Sequence, residues 1–321
     1  MKVGFGIPRK LGEPPAWRQN AHGEMLRLGQ KAEALGFDSI WVPDHYFFER
    51  PPGAFTPFPE AWTLMTALLC GTRQAQVGSM VIAAGFRHPA LLAHMAGALQ
   101  ELCGGRLLLG LGAGNMPVEH AAFGIDFERR VGRFDEYLQI LTGLLDGQTL
   151  TFEGRHYQLR EASLLYRYPR VPILIAAGGE RMMRLTARYA SAFNAAGGGP
   201  GGEGFRGKLT GLHAACRAIG RDPAEIEVTY SATVVVLPDA ATTRRAIEVI
   251  AAKPPPIPPD EVRARYAIGT PDEVADGLLR TREWGAQHLV LGLGAEPFTL
   301  WSEDSLELFA REVLPRLKAA R

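Results

Sequence analysis

Short apolar runs alternate along the chain with longer stretches in which apolar residues recur at helical spacing. We predict eight strands, at 2–7, 38–42, 76–82, 106–111, 172–177, 191–195, 226–236 and 287–292. Helices are predicted near 19–35, 57–72, 88–103, 128–145, 180–190, 203–219, 239–252, 271–285 and 302–318. Strands that alternate with helices are typical of βα units around a parallel sheet. Eight such units predict an α/β fold of the (β/α)8 class, a TIM barrel.

Two segments are predicted as insertions into the bare barrel. Residues 146–171 contain a predicted hairpin, TLTFEG followed by RHYQL. Residues 253–268 begin with KPPPIPP, which prolines keep out of a helix, and we expect a surface connection there. The run GGGPGGEG at 197–204 is expected to form a loop. Because strands resume in phase after each of these segments, we expect residues 1–321 to form one domain.

Glycine is abundant, at 37 of 321 residues, and many glycines end a predicted strand. Gly112 and Gly114 follow the fourth strand, within the run GLGAGN. In a barrel of this class the active site lies at the carboxyl ends of the strands. A backbone without Cβ atoms would let a flat ring approach closely, or it would simply form a glycine-rich rim. The spacing leaves both interpretations open.

The run AAGGERMMR at 176–184 places two glycines directly before a predicted helix. The free N–H groups and the dipole of a helix N-terminus bind anions, and phosphate is the usual one. We therefore predict a phosphate site at this loop. Arg181 either adds a positive charge to that site or is a solvated side chain.

His45 follows the second predicted strand and lies beside Asp44. An imidazole at this end of the barrel suits proton transfer at neutral pH, and Asp44 could orient it. The alternative is a histidine that only makes structural hydrogen bonds.

Charge and cysteine content exclude several classes of protein. Lys plus Arg is 35 and Asp plus Glu is 34, a net charge of +1, which argues against nucleic acid or an anionic membrane as partner. The three cysteines, Cys70, Cys103 and Cys216, are widely spaced, and no HExxH motif occurs, so we predict neither a disulfide framework nor a metal site. The chain has no apolar run of ~18 residues and no signal pattern. We therefore expect a cytoplasmic protein.

Four segments resemble the bacterial luciferase-like superfamily in order and spacing: LGFDSIWVPDHYF, FRHPALLAHMAGALQELCGGRLLLGLGAGN, GQTLTFEGRHYQL and VPILIAAGGERMMRLTARYASAFNA. They are most similar to the branch that uses the deazaflavin F420, which includes F420-dependent glucose-6-phosphate dehydrogenases and methylenetetrahydromethanopterin reductases. The carboxyl-terminal YAIGTPDEVADGLLRTREWGAQHLVLG also resembles that branch. The resemblance implies a luciferase-like TIM barrel and an F420-dependent oxidoreductase that moves a hydride between the deazaflavin and a small organic substrate.

The resemblance also implies roles for individual residues. A non-prolyl cis peptide bond is expected between Met80 and Val81, backing the central ring of the cofactor. His45 matches the histidine beside the ring, and we expect His45 and Asn115 to be catalytic. The residues expected to bind the cofactor, of which the last four would hold its phosphate, are Asp44, Met80, Val81, Ala83, Gly112, Gly114, Ala176, Ala177, Gly178 and Gly179.

The chain also departs from the family's sugar-phosphate dehydrogenases. Those enzymes carry a glutamate at the position of Asn115, a tryptophan near 47–49 and a lysine where this chain has glycines 198–199. Without that acid and that cation, glucose 6-phosphate is a poor candidate substrate. Glu119 either supplies the missing carboxylate or is a solvated or loop-bonding residue.

Two other functions stay open at this point. One is an FMN-dependent monooxygenase of the same superfamily, supplied with reduced flavin by a partner reductase. The other is a non-catalytic barrel that binds F420 or flavin without turnover. For all three functions the resemblance leads us to expect a homodimer. The F420-dependent oxidoreductase and the FMN-dependent monooxygenase would each also bind a small-molecule substrate.

Overall fold

The computed structural model describes residues 1–9, 21–49, 53, 55–196, 202–253 and 255–319. The predicted start of the first helix at 19–20 and most of the predicted loop at 197–204 lie outside these residues. The strands are β1 (Lys2–Gly6), β2 (Ser39–Val42), β3 (Phe47–Glu49), β4 (Phe55–Pro57), β5 (Gln76–Ser79), β6 (Ile82–Ala83), β7 (Leu107–Gly112), β8 (Leu150–Glu153), β9 (Gln158–Ala162), β10 (Ile173–Ala176), β11 (Ala192–Ala196), β12 (Glu227–Val236), β13 (Ala267–Gly269) and β14 (His288–Gly292).

Helices follow most of the strands that pair in parallel. They are α1 (Ala21–Ala34), α2 (Ala61–Gly71), α3 (Pro89–Leu102), α4 (Pro117–Ala122), α5 (Arg130–Leu145), α6 (Glu180–Tyr189), α7 (Glu203–Ala218), α8 (Ala240–Ala251), α9 (Pro259–Arg265), α10 (Pro271–Glu283), α11 (Glu303–Leu308) and α12 (Leu314–Ala319). A π-helical turn at Phe309–Val313 joins α11 to α12 within the predicted last helix.

The parallel strands are hydrogen-bonded in the order β10, β11, β12, β14, β1, β2, β5 and β7. Strand β7 also pairs with β10, through Ile173 opposite Leu109, and this pairing closes the ring. The described residues therefore form a closed eight-stranded parallel barrel with flanking helices. The predicted α/β barrel is confirmed.

The chain divides into two compact units. The first consists of residues 1–41, 194–211 and 227–321. In it β14 pairs in parallel with β1 and β12, and the ring of Phe37 lies 5.7 Å from Phe5 and 5.8 Å from Phe309.

The second unit consists of residues 42–193 and 212–226. Strand β7 pairs there with β5, β6 and β10. Helix α3 packs on α5, whose inner face buries Phe134 and Tyr137 completely. That residues 1–321 form one domain stays a prediction.

Local capping chemistry accounts for helices that the sequence predicts well. Thr270 and Glu273 form a reciprocal capping box at the start of α10, and Pro271 occupies its first turn. Both devices satisfy or remove N–H donors that have no partner within the helix. The predicted hairpin is also confirmed, with β8 and β9 antiparallel.

The expectation of a simple surface connection at 253–268 is wrong for its second half. Residues Pro259–Arg265 form α9, and β13 pairs in parallel with β12. Proline is tolerated in the first turn of a helix, where its missing N–H has no acceptor to lose. Val262 on α9 is fully buried against Ile250 and Ile268, which anchors the segment.

Two short elements near the carboxyl ends of the barrel strands were not predicted. The segment before α2 contains an antiparallel hairpin of β3 and β4, and α2 begins later than predicted because Glu60 caps it. The six-residue α4 follows β7. Segments this short carry too few residues to show a period.

Gly110 is required by contacts between two barrel strands. The hydroxyl of Ser79 donates to the Gly110 carbonyl at 2.8 Å and accepts from the Gly110 N–H at 3.0 Å. A Cβ atom added to Gly110 would overlap the Ser79 carbonyl oxygen. The close approach of the two backbones therefore excludes any side chain at this position.

Gly110→Ala is expected to destabilise the fold, because the overlap is with backbone that cannot move without displacing β5. Gly178→Ala is the matched control, since no atom lies within 4 Å of a Cβ added there. Urea denaturation should show a loss of about 2 kcal/mol or more for Gly110→Ala, as overpacking predicts, and little change for Gly178→Ala. Equal stability of the two variants would contradict this packing.

His288 is a buried histidine at the start of β14. Its Nε2 lies 2.7 Å from the Ser39 hydroxyl, which also accepts from the Trp41 indole N–H at 2.7 Å. The side chain is completely removed from solvent. Burial disfavours the charged imidazolium and lowers the pKa of His288 to about 4.

This pKa predicts a loss of stability in mild acid. Between pH 6.5, the ordinary value, and about 4 the unfolded chain binds a proton at His288 that the folded chain does not. The free energy of unfolding should therefore fall as the pH drops through this window, by about 3 kcal/mol for this group. Urea midpoints at several pH values should show a shallower fall for His288→Gln than for the wild type. His22→Gln, at an exposed position, should keep the wild-type slope; if His288→Gln also keeps it, the assignment is wrong.

All three cysteines are free, with Cys70 exposed and Cys103 and Cys216 buried. Among the helices of the described ranges, none has the length and apolar character needed to cross a bilayer.

Candidate active site

The predicted site residues follow four neighbouring barrel strands and all lie within residues 42–193 of the second unit. Asp44 and His45 follow β2, Gly114 and Asn115 follow β7, and residues 177–179 follow β10. The segment from Met80 to Ala83 continues β5. These strands are neighbours in the order β2, β5, β7 and β10, and their carboxyl ends lie at one edge because they are parallel. The structure therefore brings the predicted residues to the same rim.

The peptide bond between Met80 and Val81 is cis, as the resemblance implies. The Met80 N–H donates to the Val42 carbonyl at 2.9 Å, which ties this segment to the end of β2. A Cβ added to Gly112 would lie 2.7 Å from Cγ2 of Val81. Gly112 therefore makes room for a protein side chain, and packing alone accounts for its lack of a Cβ.

Glu119 holds His45 in one orientation. The Nδ1 atom of His45 lies 2.8 Å from Oε2 of Glu119. The other oxygen, Oε1, accepts from the backbone N–H groups of Tyr46 at 2.6 Å and Phe47 at 3.1 Å. Because a carboxylate only accepts, Nδ1 is the donor of this hydrogen bond, and in a neutral imidazole the lone pair lies on Nε2. His45 is 16% exposed and Glu119 only 1%.

The idea that Asp44 orients the imidazole is wrong. The Asp44 carboxylate accepts from Arg87 at 2.8 and 3.3 Å and from the Ala83 N–H at 3.1 Å. The neighbouring guanidinium offers a forked pair of donors, which suits a carboxylate better than one imidazole N–H. Asp44 thus fixes the backbone at Ala83, and a carboxylate from α4 takes the place beside His45.

The solvated interpretation of Glu119 is also wrong, whereas its loop-bonding interpretation is confirmed by the two backbone contacts. The sequence contains a signal for this position. Pro117 opens α4 and Glu119 is the acid of its first turn, a combination typical of helix starts. Recognising α4 would have placed Glu119 on a rigid element instead of in a loop.

Arg87 is committed to two carboxylates, Asp44 and Glu60. Burial raises the pKa of the Asp44 carboxyl above its ordinary value, and the charge of Arg87 offsets part of that rise. Burial alone would lower the pKa of Arg87, but the two carboxylates more than reverse this and raise it. The guanidinium therefore neutralises protein charges at the rim.

The loop from Ala176 to Gly179 has the form of an anion site. Ala177 is buried, whereas Gly178 and Gly179 are exposed, with open space where a Cβ would stand. Gly179 caps α6 in an extended conformation and, as a glycine, has no side chain to accept from the first N–H groups of the helix. These donors and the helix dipole are available for a phosphate.

The remaining residues around the loops take varied positions. Arg181 is exposed and its Nη2 lies 3.4 Å from a Cβ added to Gly132 on α5. Asn115 is exposed on the segment before α4.

His120 donates from Nδ1 to the Met116 carbonyl at 2.9 Å, while its buried Nε2 has no hydrogen-bond partner among the described residues. That atom would lie 2.8 Å from a Cβ on Gly114, whose φ is +93°.

Comparisons with known proteins find several similar enzymes. A 5,10-methylenetetrahydromethanopterin reductase from Methanolobus tindarius is 28% identical, over 82% of this chain and 77% of the relative. An F420-dependent glucose-6-phosphate dehydrogenase from Amycolatopsis mediterranei is 27% identical, over 97% of this chain and 99% of the relative. The crystal structure of monooxygenase RslO1 from Streptomyces bottropensis matches with a TM-score of 0.81 and 26% identity, over 99% of this chain and 100% of that chain.

The profile of the family described as luciferase-like monooxygenase matches residues 1–288. The match covers the barrel strands that carry every predicted site residue. The resemblance to this superfamily is therefore confirmed, and the chain belongs to the luciferase-like monooxygenase family.

Proposed function

We propose that this protein is an enzyme, an F420-dependent oxidoreductase that transfers a hydride between the deazaflavin F420 and a small organic substrate. Relatives named as F420-dependent dehydrogenases, similar over nearly the full length of both chains, support the cofactor. The observation that carries the reaction type is the pairing of His45 with buried Glu119 at the rim. A hydride transfer to or from an oxygen-bearing carbon needs a partner for the proton, and His45 supplies it.

The residues present fit the cofactor. The open space at Gly178 and Gly179 and the free N–H groups at the start of α6 suit its phosphate. We assign Ala176 and Ala177 to the same loop. Asp44, Ala83, Met80, Val81, Gly112 and Gly114 would form the wall for the ring. The unpaired Nε2 of His120 beside Gly114 is a buried acceptor of the kind that a ligand or water satisfies.

When bound, F420 would supply the ring carbon that accepts or releases the hydride. His45 would take the hydroxyl proton of the substrate on Nε2 during oxidation and return it during reduction. Glu119 occupies Nδ1, so Nε2 is the nitrogen that would exchange a proton with the substrate. It also fixes the ring relative to the backbone at Tyr46 and Phe47. We assign Asn115, exposed on the same rim, to a hydrogen bond with the ring or the substrate.

A second candidate is an FMN-dependent monooxygenase that receives reduced flavin from a partner reductase. The similarity to monooxygenase RslO1 over 99% of this chain favours it. A barrel that binds a cofactor without turnover is less well supported. Burying the Glu119 carboxylate at 1% exposure costs desolvation free energy. A catalytic role for His45 explains why the protein bears this cost, because Glu119 orients the imidazole.

A homodimer in the cytoplasm stays our prediction for the state of the protein. The most exposed large apolar side chains are Leu102, at 82%, and Leu165, at 92%. Leu102 ends α3, and Leu165 follows β9.

Binding experiments distinguish F420 from FMN as the cofactor. We expect the purified protein to quench F420 fluorescence on binding and to bind FMN more weakly. Gly178→Asp should weaken F420 binding, by about tenfold or more, because a carboxylate there repels the phosphate. Gly204→Asp is the matched control, since a Cβ added at Gly204 also meets open space. Tight FMN binding with no F420 binding would replace this proposal with the monooxygenase.

Variants of Glu119 and His45 test the proposed proton transfer at His45. Glu119→Gln should lower turnover by about 100-fold, and His45→Ala by at least as much, with F420 affinity changed less than about threefold. The amide of Gln can face Nδ1 with its NH2 group, which removes the acceptor and disturbs the tautomer. The pH profile of turnover should therefore also shift in Glu119→Gln.

The control for this experiment is Glu136→Gln. Glu136 accepts from the backbone N–H groups of Arg155, His156 and Tyr157, at 3.0, 2.8 and 3.2 Å, and touches no catalytic group. This variant removes a carboxylate that bonds a loop backbone but does not contact His45. Wild-type turnover and pH profile in Glu119→Gln, or an equal loss in Glu136→Gln, would remove Glu119 from the mechanism.

A further inference from the structure

Aromatic side chains extend from His45 to the protein surface. We define the aromatic rim as Tyr46, Phe47, Phe48, Phe55, Phe58 and Phe123. The His45 ring lies 4.6 Å from Phe48 and 5.3 Å from Phe58, centroid to centroid. The rim therefore begins in contact with the imidazole that faces the reaction.

The outer part of the rim is open to solvent. Phe47 contacts Phe55 at 5.2 Å and Phe123 at 6.4 Å, while Tyr46 contacts Phe123 at 4.1 Å. Phe55 is 56% exposed and Phe123 54%. Single exposed apolar residues are ordinary, but two phenyl rings that continue a partly buried cluster into solvent mark a binding surface.

Three arginines among the described residues of this unit already have partners within the protein. No lysine occurs between Val42 and Phe193. Arg87 is bound by two carboxylates. Arg130 donates to the Gly114 carbonyl at 3.1 Å and lies over the Phe127 ring, and Arg133 is paired with Asp126. A charged substrate would have to leave water without a counter-ion from these groups.

We propose that the aromatic rim selects an uncharged substrate with a flat apolar or aromatic body, whose hydroxyl or carbonyl group points to His45. Ring faces and edges of Phe48, Phe58 and Tyr46 would pack on that body, and Phe55 and Phe123 would cover its outer end. This inference rests on the proposed function, since it names the substrate class of the same site. It separates this chain from a sugar-phosphate dehydrogenase by what the site contains.

The test uses matched ketones as probes and binding as the readout. Acetophenone and 2-acetylnaphthalene present aromatic bodies, and 4-acetylbenzoate adds one negative charge to the first. Binding to the protein, with and without F420, is measured by saturation-transfer NMR and titration calorimetry. We expect both aromatic ketones to bind, the naphthyl compound more tightly, and 4-acetylbenzoate and glucose 6-phosphate to bind at least about tenfold more weakly.

Variants locate the binding. The double variant Phe55→Ala with Phe123→Ala should weaken 2-acetylnaphthalene by about tenfold, a factor in keeping with the loss of two ring contacts. Leu165→Ala, at another exposed apolar residue, should leave its affinity unchanged. Binding of neither ketone, equal binding of 4-acetylbenzoate, or equal affinity in the double variant would overturn the proposal. The F420 titration is read separately: loss of F420 binding with intact ketone binding would count against the proposed cofactor and not against the aromatic rim.

Discussion

The carboxylate of Glu119 is a buried acceptor whose two oxygens both have to be hydrogen-bonded, and the arrangement of the rim follows from how this is done. One oxygen takes two consecutive backbone N–H groups and the other takes His45 Nδ1. The segment after β2 is thereby fixed to α4, and the imidazole is held in one tautomer. A group at 1% exposure cannot exchange these partners for water. The orientation of the histidine is therefore set before any ligand arrives.

Asp44 and Glu119 lie far apart in the sequence, and in the structure each carboxylate has its own partners at the rim. Asp44 binds Arg87 and the Ala83 N–H, so its charge is balanced and it holds the strand that carries the cis peptide. Glu119 serves the imidazole. Arg87 is thereby paired with protein carboxylates, and the rings of Phe48 and Phe58 lie beside the imidazole. Electrostatics and the shape of the aromatic rim thus favour the same kind of ligand.

The barrel could be predicted from the sequence because long strands and helices repeat their periods over many residues. The sequence also allows a phosphate site to be proposed at Gly178 and Gly179, since a glycine pair before a helix suits an anion. The partner of His45 could not be predicted. Asp44 is the neighbour of His45 in the sequence, whereas the carboxylate that contacts the imidazole is Glu119, on the six-residue helix α4. Arg87 illustrates the same limit. Its hydrogen bonds to Asp44 depend on the distance between two separate segments of the chain, which a local sequence pattern does not predict. The packing of Gly112 depends in the same way on a separate segment, since the side chain of Val81 lies where a Cβ would stand.

The candidate residues from Asp44 to Gly179 all belong to the unbroken segment 42–193 of one compact unit. Inheritance of the site therefore does not require coordinated change in distant parts of the gene. A recombination event with crossovers near residues 42 and 193 would carry the histidine, its carboxylate, the arginine pairings and the phosphate loop in a single fragment. Selection on substrate preference can act within that fragment through β3, β4 and α4 while the strands beneath them are kept.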